Sequence, residues 1–142
     1  MGEEIVDLER HLLELAKNPP PRAQLPAGFY SREGDCLYFY TEDVPELGEY
    51  VDPLLTLYRA LDDRRMIGAH IHGIARLPED DPLRLRILQD GSVDMAELLL
   101  CTFYRQKAAS PEANAEKARK YFEAMRVLRG KVPLKKTELE AA

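Results

Sequence analysis

Two cysteines, Cys36 and Cys101, are all that the chain contains. They are too few and too far apart for a disulfide framework or a zinc knuckle. One lies in an expected strand and one in an expected helix, where a reduced thiol behaves as a small hydrophobe. Long apolar runs are missing as well. The longest, Leu98-Leu99-Leu100-Cys101-Thr102-Phe103-Tyr104, falls far short of the roughly 20 residues that cross a bilayer. The opening Met-Gly-Glu-Glu-Ile-Val-Asp is acidic where a secretory leader is basic and then apolar. Val6 stands where a myristoylation signal needs Ser or Thr. These absences lead to the expectation of a cytoplasmic protein without membrane association. There is no Gly-x-Ser-x-Gly elbow, phosphate loop, Rossmann glycine fingerprint or His-Glu-x-x-His. Glu79-Asp80-Asp81 lacks the alternating oxygens and central glycine of a calcium loop and reads as turn chemistry. No catalytic residue is assigned and no cofactor is expected, so the reading leans away from an enzyme.

What is present suits one α+β domain spanning all 142 residues, with 45% hydrophobic and 32% charged residues. Ile5, Leu8, Leu12 and Leu15 recur at helical spacing, predicting a helix over 3–17 within an N-terminal segment 1–18; Pro19-Pro20-Pro21 stops it. Residues 29–88 read as a three- or four-stranded antiparallel meander. Its strands fall at 36–41, 54–59 and 66–74, with a loop over 42–49. Leu83-Arg84-Leu85-Arg86-Ile87 alternates like an edge strand. Leu37, Phe39, Leu55, Leu57, Ile67 and Ile71 form the expected apolar face. Residues 92–130 read as a helical hairpin. Its first helix, 94–108, is capped by Ser92 or Asp94. Its second, 111–129, starts at Ser110-Pro111 and carries an apolar stripe through Ala115, Ala118, Phe122 and Met125. Residues 131–142 read as a fraying tail.

The period of two also gathers a polar set. Tyr38, Tyr40, Thr56, Tyr58, His70 and His72 fall on one side of the sheet. Tyr38, Tyr40, Tyr58, His70 and His72 are therefore candidates for a ligand- or peptide-binding platform, since tyrosine offers contact area with a polar tip. Tyrosine is also a good strand former, and a helix covering this face explains the same pattern. His70-x-His72 puts two imidazoles within reach of one metal ion. A metal or ligand-binding enzyme built on that strand is the alternative function. A third ligand would come from Cys36, Asp52, Asp35 or His11, and none has diagnostic spacing; two histidines on a polar strand face are also ordinary surface.

Charge is unevenly spread around a net −5. Residues 1–104 hold 10 Lys/Arg against 20 Asp/Glu, whereas residues 105–136 hold 10 Lys/Arg against three Glu. Lys117, Arg119, Lys120 and Arg126 make the basic helix a nucleic-acid candidate. No helix-turn-helix or other reading motif accompanies it, which makes nucleic acid the lesser expectation. A basic face turned toward the acidic part of the same fold, or of a second subunit, explains the asymmetry equally well.

The stretches Gly34-Asp35-Cys36-Leu37-Tyr38, Tyr50-Val51-Asp52 and Asp62-Asp63-Arg64-Arg65-Met66-Ile67-Gly68-Ala69-His70-Ile71 resemble small bacterial β-meander proteins of unknown function. The resemblance covers about 40 residues within 34–74 and rests on common strand and turn residues. It implies a fold more than a function, together with an antitoxin-like or regulatory role of the kind attributed to some of those proteins. The helices at either end depart from that pattern. The leading expectation is a non-enzymatic binding or regulatory protein acting through protein–protein contact, with a homodimer or another protein as partner. It is motivated by the apolar 98–103 helix and the opposed charge halves.

Overall fold

The computed structural model describes residues 25–106 and 110–140. Strands β1 (Ala27–Ser31) and β2 (Cys36–Tyr40) form a hairpin, and β3 (Glu46–Asp52), β4 (Leu55–Ala60) and β5 (Met66–His72) follow as a meander. The sheet has the order β1-β2-β5-β4-β3, all antiparallel. β5 is the central strand, where its run of Met, Ile, Gly and Ala ahead of the two histidines is buried. A single turn of 3-10 helix at Ile74–Arg76 leads to helix α1 (Pro82–Asp90). Then come β6 (Ser92–Asp94), α2 (Met95–Arg105), α3 (Pro111–Val127), β7 (Lys131–Pro133) and α4 (Lys136–Glu140). β6 and β7 make a separate two-stranded ladder.

One face of the five-stranded sheet is the core. Leu37, Phe39, Leu55, Leu57, Ala69 and Ile71 cluster with Leu98, Leu99 and Phe103 of α2 and with Tyr121 and Ala124 of α3. Burying each of the larger aliphatic side chains contributes about 1.5–3 kcal/mol. Polar clasps fix how the helices sit. Asp52 Oδ1 accepts from the amides of Leu54 and Leu55 and shapes the β3–β4 turn. Its Oδ2 accepts from the Tyr121 hydroxyl at 2.7 Å, with the Lys117 ammonium 3.7 Å away. Lys117 also donates to the Gln106 carbonyl. The Arg105 guanidinium donates to the carbonyl of Gly73 just past β5.

The α+β class with an antiparallel sheet agrees with the sequence reading, but the details depart from it. The sheet has five strands, and β2 pairs with β5 instead of its sequence neighbour β3. The expected loop 42–49 contains most of β3, an edge strand exposed along much of its length that therefore lacks an apolar alternation. The expected edge strand 83–87 is helix α1. Asp81 accepts from the Leu83 amide at its start, Pro82 occupies the first turn, and Gly91 at φ 70° ends it. Leu83 and Ile87 are buried one turn apart while Leu85 between them is exposed, which a strand does not allow. In α3 the buried positions are Lys117, Tyr121 and Ala124, followed by Leu128; Phe122 is half exposed. The stripe expected through Ala115, Ala118, Phe122 and Met125 is thus rotated by about one residue. The tail does not fray over residues 131–140: β7 pairs with β6, and Val132, Leu134 and Leu139 are buried. The helix expected over 3–17 lies outside the described residues.

Candidate functional site

The sheet face turned away from the helices carries the candidate residues. Cross-strand register brings Phe29 opposite Tyr38, Tyr38 opposite His70, and His70 opposite Thr56. The neighbouring row sets Tyr40 and Tyr58 on either side of Gly68. The rings form a continuous layer. Phe29 stacks on Tyr38 with centroids 4.9 Å apart, and Tyr38 meets His70 edge-on at 5.4 Å. His70 meets Tyr58 edge-on at 5.5 Å, and Tyr58 stacks on Tyr40 at 5.4 Å. Gly68 makes that last stack possible, because a Cβ there would stand 2.6 Å from the Phe39 carbonyl oxygen and 2.9 Å from the Tyr40 ring. The five residues expected as a platform (Tyr38, Tyr40, Tyr58, His70 and His72) are therefore brought together, half-buried. The buried residues of helices α1, α2 and α3 belong to the cluster on the other face, so among the described residues no helix closes the layer over.

Polar chemistry is concentrated around His70. The Tyr58 hydroxyl and His70 Nδ1 are 2.5 Å apart. Burial, then the neighbouring His72, lowers the His70 imidazole below its ordinary value. Burial raises the phenols of Tyr40 and Tyr58, reinforced at both by the Glu46 carboxylate. Cys36 faces His72 across the β2–β5 ladder. The ligand atoms of Cys36, His70 and His72 all lie within 4.8 Å of one another. The Cys36 thiol is buried and pushed up by that burial, partly offset by Tyr38. Among the described residues, Cys36 is the third ligand weighed from sequence that joins the histidine pair; Asp52 is engaged at the Tyr121 clasp, Asp35 bonds to Tyr30 and the Ala75 amide, and His11 lies outside the described residues.

A groove of about 830 Å³ opens beside Tyr40, where the β1 edge meets residues 42–46. Leu25, Phe29, Val44 and Pro45 give it apolar walls, and Glu42, Asp43 and Glu46 give it an acidic rim. Glu42 is clamped by both nitrogens of the Arg65 fork at 2.7 and 2.8 Å. Burial raises the Glu46 carboxyl, partly offset by its hydrogen bond with Tyr40. Phe29 and this groove were missed from sequence. Their only signal was the Phe29-Tyr30 pair at the start of the sheet, and strand pairing alone brings it beside Tyr38.

The four nucleic-acid candidates do not share an open face. Lys117 is buried against Asp52, and Lys120 pairs with Glu49 and Glu116. Arg119 and Arg126 are exposed. Among the described residues no helix is long and apolar enough to cross a membrane. Comparison with protein-family models, curated proteins and solved structures finds no match.

Proposed function

We propose that the chain works by binding, and that its open aromatic sheet face with the adjoining groove receives an apolar segment carrying Lys or Arg from a partner protein. The observation that carries this reading is the ring layer from Phe29 through Tyr38, His70 and Tyr58 to Tyr40, which no helix among the described residues covers and which adjoins an apolar groove. Aromatic rings supply contact area at low entropic cost, and their faces attract cations. The acidic rim, in which Glu42 is already clamped by Arg65, and Asp43 and Glu46 add further carboxylates, favours a basic segment and repels the phosphates of nucleic acid. Selection from a random peptide display library tests it. Enriched peptides are expected to combine Lys or Arg with apolar residues, and to bind Phe29→Ser about tenfold more weakly at unchanged thermal midpoint. Acidic consensus peptides, or binding indifferent to Phe29→Ser, contradict it.

Self-association remains part of the proposal, on narrower support. Most of the apolar residues of α2 are spent on the chain's own core. Leu100, Tyr104 and Phe122 stay exposed, with Tyr104 and Phe122 both against the Phe103 ring. A dimer mass by light scattering at tens of micromolar, lost in Tyr104→Ser, is the expected result; a monomer removes the claim.

A further inference from the structure

We propose that Cys36, His70 and His72 form a binding site for a divalent metal ion that prefers thiolate and imidazole, zinc first among them. The site shares a face with the proposed peptide surface but stands on a separate observation. Three side chains from two paired strands converge so that all their ligand atoms lie within 4.8 Å of one another. In tetrahedral zinc with S and N ligands, the donor atoms stand roughly 3.3–3.6 Å apart. Side-chain rotation that brings the donor atoms at most about 1.2–1.5 Å closer therefore closes the set. The backbone already supplies the placement: Cys36 and His72 are direct cross-strand partners, and His70 is two residues along the same strand on the same face.

The donor set also selects the metal. One sulfur and two imidazoles exclude the hard cations magnesium and calcium, which take oxygen, and suit zinc, copper or cobalt. A surrounding hydrogen-bond shell is in place. The Tyr58 hydroxyl holds His70 Nδ1, leaving Nε2 as the nitrogen available to a cation, and metal-bound histidines are ordinarily oriented by such a partner. Cys36 is only 2% exposed, while His70 and His72 are half-buried. The sulfur is thus shielded from solvent, while the imidazoles keep part of their surface accessible. With three protein ligands, a tetrahedral ion keeps one position for water or an exchangeable donor.

The test uses untagged full-length protein stripped by chelator and titrated with Co²⁺ as a spectroscopic stand-in for zinc. One equivalent is expected to bind with a thiolate-to-cobalt charge-transfer band that added Zn²⁺ abolishes. Cys36→Ser should lose the band, and Cys101→Ser should keep it. His72→Ala, at a half-exposed position, should weaken zinc binding by about tenfold or more, which keeps the test decisive if Cys36→Ser fails to fold. No saturable binding at millimolar cobalt, a spectrum without the band, or a band that survives Cys36→Ser overturns the site. No peptide enters this titration, so its outcome is independent of whether the partner-binding reading holds.

Discussion

Gly68 carries no side chain, and the aromatic layer depends on that. A methyl group there meets backbone on one side and the Tyr40 ring on the other, so relief requires moving β2. Gly68→Ala is expected to lower stability by about 1–3 kcal/mol, the range for overpacking, and to shift the Tyr40 ring resonances; an unchanged urea midpoint contradicts the packing described. Tyr121 makes a second prediction. Burial, then its hydrogen bond to Asp52, raises its phenol above the ordinary range. A group whose folded-state pKa is raised contributes fully below its unfolded pKa, about 10, and loses that contribution as pH climbs toward the folded value. Asp52 and Lys117 are the charged groups that face it. Tyr121→Phe should cost about 1–3 kcal/mol at neutral pH, yet lose less stability than the parent between about pH 9 and 11. Urea midpoints across that window check both halves. At this scale the pair His70 and His72 on one side of their strand was legible, because a strand's period of two is local information. Which of the third-ligand candidates joins the histidines was not, because Cys36 does so through β2 pairing with β5 across the 25 residues between Tyr40 and Met66.

Helix α1 shows how one pattern supports two elements. Leu83, Leu85 and Ile87 at spacings of two fit a strand, but Leu83 and Ile87 at a spacing of four fit a helix equally. The cap decides it. Asp81 accepts from the Leu83 amide and Pro82 is preorganised for the first turn. Asp81→Ala is expected to cost about 1 kcal/mol and to speed amide exchange across residues 82–90 first; uniform exchange throughout the chain contradicts a local capping role. The reverse case is α3, where the start at Ser110-Pro111 was legible from its cap and the buried face was not. Lys117 reads as surface by residue type, yet it is buried because Asp52 and the Gln106 carbonyl receive its charge. β3 was hidden for a related reason: an exposed edge strand has no buried face to leave a periodic trace.

At the scale of the whole molecule, the charge asymmetry resolves partly into contacts within the fold. Lys117 pairs with Asp52, Lys120 with Glu49, and Glu123 of α3 with Arg59 of β4. These join the basic C-terminal segment to the acidic sheet. The C-terminal segment is equally part of the structure. Removing residues 131–142 deletes β7 and the buried Val132, Leu134 and Leu139. At about 1.5–3 kcal/mol for each aliphatic side chain, the loss rivals the roughly 5–15 kcal/mol stability of a typical domain. The truncated chain is expected to lose its cooperative thermal transition; a transition near that of the full chain contradicts the packing. Among the described residues the helices and tail pack on one sheet face and none of them covers the aromatic face, and the binding account rests on that division. Ring-proton NMR during titration with a selected Lys/Arg-containing peptide tests it most directly. The account predicts shifts concentrated at Phe29, Tyr38, Tyr40 and Tyr58, with Tyr104 and Tyr121 unmoved. Shifts concentrated instead at Tyr104 and Phe122, on the helical side, would contradict it.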